Sequence, residues 1–136
     1  MNIASEYKQS ENANQCIQYC IAHILKFPPE FILKELSRKP LHIRDIRDYL
    51  SKYDIMTNEY WFIVDIKPPD DCILILKKDN ELYNHCCVIQ NGIVYDPTRF
   101  DDLRFIDAIK IWKDLGWEPL QYLEMFGVGI GNIDVE

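Results

Sequence analysis

Cys16 opens a run in which Ile17, Cys20, Ile21, Ile24 and Leu25 recur at helical spacing, so its thiol falls in the first turn of a helix. There it faces unpaired backbone N–H groups and the positive end of the helix dipole, which favour thiolate over thiol and so create a nucleophile. The competing view is that Cys16 is a small buried hydrophobe, as free cysteines often are.

His85 and Asp96 offer a base and an acid to orient it. Asn91-Gly92 stands between HCCVIQ and IVYD and signals a two-residue type I′ turn, which needs positive φ at both central residues. That turn pairs Gln90 with Ile93 and Cys87 with Asp96, which makes His85 and Asp96 diagonal neighbours on one face. The carboxylate would accept one ring N–H, fix the tautomer and leave the other nitrogen to take a proton from a thiol. Singly, His85 is equally a half-buried strand residue and Asp96 a turn acid before Pro97. Together with Cys16 they point to acyl chemistry through a thioester.

The elements that must position these residues follow from pattern. The first helix is expected over residues 15–26, with Asn14 as N-cap and Pro28-Pro29 as a stop. A second is expected over 29–38, and Ile43, Ile46 and Leu50 mark a third on which Arg and Asp alternate as a solvated face. YWFIVDI, CILILK, HCCVIQ and IVYD read as strands, separated by Pro68-Pro69-Asp70-Asp71, by Lys78-Asp79-Asn80 and by the tight turn. After Pro97, DDLRFIDAIKIWKDLG places Phe105, Ala108, Ile109 and Trp112 on one helical face. An irregular C-terminus is expected beyond it, with Gly127, Gly129 and Gly131 in a loose tail. His42 is expected to cap a helix, His23 to pack or lie at the surface, and Cys20, Cys72, Cys86 and Cys87 to serve as core residues without a reactive role. The class is α+β, helices of the first half packing on an antiparallel sheet.

Composition narrows the function. The 136 residues, 48% of them apolar, make one domain over 1–136. A net charge of -7 argues against nucleic acid, which demands clustered Lys and Arg. The sequence carries no secretory-type start and no membrane-length apolar run, so a cytoplasmic location is expected. Five cysteines are an odd number, so at least one free thiol is expected. His85, Cys86 and Cys87 adjoin, yet they lack metal-ligand spacing, and neither metal nor cofactor is expected. Trp61, Trp112 and Trp117 are core or interface aromatics, and a monomer is the expected state.

A helix headed by Cys, then much later a strand with His and a strand ending in Gly-x-Val-Tyr-Asp-Pro, resembles papain-like cysteine peptidases. Residues 14–25, 85–90 and 92–97 carry the likeness. Within that group the chain looks most like the compact domains that remove double-glycine leaders from bacteriocins. The resemblance implies a papain-like fold, a peptide or protein substrate, and Cys16, His85 and Asp96 as nucleophile, base and orienting acid. It also implies a Gln upstream of the Cys to bind the oxyanion: Gln9 is the nearest match and Gln15 the fallback, with the backbone N–H of Cys16 as second donor. Deamidation or acyl transfer would share the thioester. A silent protein-binding module of the same fold is the non-enzymatic alternative.

Overall fold

The computed structural model describes residues 16–36, 42–81 and 84–127. Asn14, Gln15, the end of the expected second helix, Gly129 and Gly131 lie outside them.

Helix α1 spans Cys16–Leu25. It ends where Lys26 turns left-handed at φ 63°. The Phe27 N–H then bonds the Ala22 carbonyl at 3.0 Å and the Lys26 N–H that of His23 at 3.3 Å, the paired closure that satisfies last-turn carbonyls. Helix α2, Pro29–Glu35, starts on a proline whose missing N–H costs nothing in a first turn. Helix α3, Ile43–Ser51, is capped by His42, whose Nδ1 accepts the Arg44 N–H at 3.2 Å while Asp45 accepts the His42 N–H at 3.2 Å. On the charged face of α3, Arg47 reaches across to Thr57 Oγ1 at 3.2 Å.

Seven strands follow: β1 Ile55–Thr57, β2 Phe62–Ile63, β3 Cys72–Lys78, β4 His85–Gln90, β5 Ile93–Asp96, β6 Phe100–Arg104 and, after helix α4 Phe105–Leu115, β7 Trp117–Gly127. All pairings are antiparallel, in the order β1-β7-β3-β4-β5-β6, with β2 also on β7. The expected tight turn is present: Gln90 pairs with Ile93, and Asn91 and Gly92 have φ of 53° and 79°.

Two expectations about elements are corrected. The C-terminal segment is no loose tail up to Gly127, because β7 is an eleven-residue strand paired with β1, β2 and β3. Pro119 disguises it in sequence, and the sheet accommodates this proline at a register shift, where Ile75 faces Gln121 but Leu76 faces Pro119. In YWFIVDI only Phe62 and Ile63 pair, and both stay exposed, so this apolar run builds a short fringe on β7 instead of a core strand.

The sheet is covered on both faces, so the architecture is α+β with the N-terminal helices on one side of an antiparallel sheet and α4 on the other. Cys20, Ile21, Ala22 and Ile24 of α1 and Ile46, Tyr49 and Leu50 of α3 bury against Ile73, Cys86, Val88, Tyr95 and Leu123. Ala108 and Trp112 of α4 bury against Leu74, Leu76, Cys87, Ile89 and Val94. Strand β4 is thus enclosed on both faces, which explains why HCCVIQ reads as a near-continuous apolar run. Among the described residues, no helix is long and apolar enough to cross a membrane.

Candidate functional site

Side chains alternate along β4, with Cys86 and Val88 toward α1 and Cys87 and Ile89 toward α4. His85 begins the strand on the α4 side. Its Nε2 lies 2.7 Å from Asp96 Oδ1, the diagonal contact that the hairpin register demands.

Asp96 has no exposed surface and is surrounded by donors. Besides His85, Oδ1 accepts from Thr98 N and Thr98 Oγ1, both at 3.0 Å. Oδ2 accepts from Trp112 Nε1 at 2.9 Å and from Arg99 Nη1 at 3.2 Å. Burial alone would raise the pKa of this carboxyl, but the His85 contact, then Trp112 and Thr98, hold it well below its ordinary value. Asp96 is therefore a carboxylate in the fold and holds the His85 ring through Nε2. Trp117 flanks the pair, its ring centroid 5.7 Å from that of His85, with the Arg99 guanidinium 5.7 Å from the same indole.

Thr98, Arg99, Trp112 and Trp117 were not singled out as site residues by sequence. Thr98 had a local signal, since an Asp two residues upstream invites this turn bond to its N–H. Trp112 carried only a core-facing helical position, and its bond to Asp96 depends on where α4 docks.

Cys16 heads α1 as expected and is half-buried. Its sulfur is joined to Cys86 in a disulfide, with Cα atoms 5.6 Å apart across 70 residues of sequence. The sulfur of Cys16 is therefore held on the α1 side of β4, while the His85 ring bonds Asp96 on the α4 side. The structure brings His85 and Asp96 together and leaves Cys16 one strand residue away, on the other face. Gln9 lies outside the described residues. Cys86, expected as a plain core residue, is corrected to a disulfide partner, because α1 crosses β4 with its first residue over the second residue of the strand. Cys20, Cys72 and Cys87 are free and fully buried, and burial, followed by neighbouring acids, raises each thiol pKa. They stay protonated and inert.

Behind Cys16 on the α1 side, His23 stacks on Tyr95 with ring centroids 4.0 Å apart and planes within 4°. Among the described residues its Nδ1 has no hydrogen-bond partner. Burial, with help from Lys26, lowers its pKa to about 4. An imidazole neutral in the fold but basic in the unfolded chain contributes stability that is complete above about pH 6.5. This contribution is lost as pH falls through about 4. Urea unfolding of wild type and His23→Phe at pH 7 and pH 4.5 should show wild type losing roughly 2 kcal/mol more than the variant over that interval. Equal losses would mean that His23 is protonated in the folded protein.

Among the described residues no group of three or more His, Cys, Asp or Glu side chains gathers as a metal site would require. A cavity of about 580 Å³ lies at the opposite, hairpin end of β4, lined by Ile89, Ile93, Arg104, Phe105 and Ile109 among others. Cys16, His85 and Asp96, the described site residues expected from sequence, do not line it. Comparison of the chain with family models, curated proteins and solved structures gave no match.

Proposed function

We propose that the chain, with Cys16 reduced, is a thiol-dependent hydrolase of papain-like type acting on a peptide or amide bond. The observation that carries the reading is the buried His85–Asp96 pair, in which a carboxylate with five donors orients an imidazole through Nε2. A ring held through Nε2 by a carboxylate is oriented to offer its other nitrogen, Nδ1, to a thiol nucleophile as proton acceptor.

Cys16 supplies the nucleophile. Its Cα is 5.6 Å from that of Cys86, the residue after His85, so it lies within about 9 Å of the His85 Cα. Opening the disulfide releases Sγ from Cys86, and the first turn of α1 must then carry Sγ around the start of β4 to the His85 ring. Cys16 then attacks the carbonyl, His85 takes the thiol proton and returns it to the leaving amine, and water releases the thioester. The backbone N–H of Cys16 and the side chain of Gln9 are the proposed oxyanion donors. A reducing cytoplasm would keep the nucleophile in its active form, and a monomer suffices because every proposed group comes from one chain. Deamidation or acyl transfer would use the same residues.

The disulfide itself favours a second reading, a catalytically silent binding module in which Cys16–Cys86 staples α1 to the sheet. Exposure of the dithiothreitol-reduced protein to p-nitrophenyl acetate, followed by peptide mass mapping, separates the two. The hydrolase should form an acetyl thioester at Cys16 that water then turns over. If Cys16 acetylates no faster than free cysteine in solution, the binding-module reading replaces it.

A further inference from the structure

The pairing of Cys16 with Cys86 is more than a crosslink, because it holds the proposed nucleophile on the face of β4 opposite the proposed base. We infer that Cys16–Cys86 is a reversible thiol switch that silences the site when oxidised and opens it when a dithiol reduces it. The inference rests on the reading of Cys16 as nucleophile and adds to it a regulation of the same residue.

Three features support a switch over a staple. First, α1 does not need the bond to stay on the sheet, since Cys20, Ile21, Ala22 and Ile24 are already buried with Val88 and Tyr95. Reduction therefore changes the site while leaving the fold in place. Second, the two sulfurs differ in access: Cys16 is half-buried, whereas Cys86 has no exposed surface. An incoming thiolate attacks at Cys16. Third, the remaining cysteines are buried thiols held in the protonated form, so they do not compete for the exchange.

The chemistry balances in both directions. A small dithiol attacks Cys16 Sγ as thiolate, the Cys16–Cys86 bond breaks, and Cys86 leaves as a thiolate that takes up a proton. The second thiol of the reductant then closes on the mixed disulfide, releasing Cys16 and leaving the reductant as a cyclic disulfide. In reverse, a peroxide oxidises the Cys16 thiolate to a sulfenic acid, and the Cys86 thiol displaces water from it to restore the bond.

The test reads thiol chemistry, so it is separate from turnover. Full-length protein is oxidised with hydrogen peroxide, or reduced with dithiothreitol that is then removed, and each form is pulsed with iodoacetamide under native conditions before peptide mapping. The switch predicts a Cys16–Cys86 linked peptide in the oxidised form, with Cys16 alkylation at least 100-fold slower than in the reduced form. Full recovery should follow dithiothreitol treatment of the folded protein. Cys86→Ala should keep Cys16 alkylatable after a mild peroxide pulse and removal of sulfenic acid by ascorbate. Absence of the linked peptide, or a linked peptide that dithiothreitol opens only after unfolding by urea, overturns the switch. A disulfide that opens and closes in the folded protein while Cys16 fails to form an acetyl thioester would leave only a reversible crosslink and remove both the hydrolase reading and the silencing, whereas an acetyl thioester without the linked peptide would remove the switch alone.

Discussion

In the reduced protein, His85→Ala should slow iodoacetamide alkylation of Cys16 at pH 6 by about 100-fold and reduce acyl transfer from p-nitrophenyl acetate by about 1,000-fold. An isolated thiol with a pKa of about 8.5 is almost entirely protonated at pH 6, so rapid alkylation there requires a partner that stabilises the thiolate. In the proposed site the first turn of α1 would supply part of this, and the His85 side chain would supply the rest. The discriminating readout is the pH profile. Near pH 9.5 an ordinary thiol is largely ionised, so the wild-type and variant alkylation rates should converge. A merely structural His85 would instead give parallel profiles displaced by the same factor at every pH. Parallel profiles, or no displacement at all, would assign the His85–Asp96 pair to packing and favour the silent module.

The pair was legible in sequence because two local rules determine it. Asn91-Gly92 sets the hairpin register, and the alternation of a strand then decides which residues share a face. Given Gln90 opposite Ile93, His85 and Asp96 have little freedom to be elsewhere. The first helix was equally legible, since Pro28-Pro29 and the spacing of Ile17, Ile21 and Ile24 are properties of adjacent residues. What escaped depends on contacts between distant segments. The strand from Trp117 to Gly127 contains Pro119, which argues against a strand unless a bulge receives it, and the bulge is made with Leu76 about forty residues away in sequence. The Trp112 bond to Asp96 likewise requires α4 to lie under β5, which no periodicity within α4 announces. The Cys16–Cys86 bond falls in the same class. Helical pattern gives the position of Cys16 on α1, strand pattern gives the face of Cys86 on β4, and only the docking of one on the other brings the sulfurs together.

Asp96→Asn is the substitution expected to cost the most stability at the site, about 3 kcal/mol at neutral pH. The side chain keeps its shape but exchanges one acceptor oxygen for a donor amide. One orientation turns that amide toward Trp112 Nε1 and Arg99 Nη1, which both need an acceptor at Oδ2. The other orientation turns it toward Thr98 and His85, which donate to Oδ1 in the native protein. Either way a buried donor faces a donor where water cannot intervene. The sign with pH follows from the carboxyl pKa being held below its ordinary value in the fold. Its stabilisation is complete above the unfolded-chain pKa of about 3.9 and is lost progressively as pH falls below that, because the unfolded chain binds the proton first. The gap between wild type and Asp96→Asn in urea unfolding should therefore be constant from pH 7 to about pH 5 and narrow below pH 4. Trp112→Phe, which removes one donor and leaves a small cavity in the core, should cost about 2 to 3 kcal/mol and leave that narrowing in place. A gap that stays constant through pH 3 would show that Asp96 carries no depressed pKa, and the carboxylate would then lose its role as the group that orients His85.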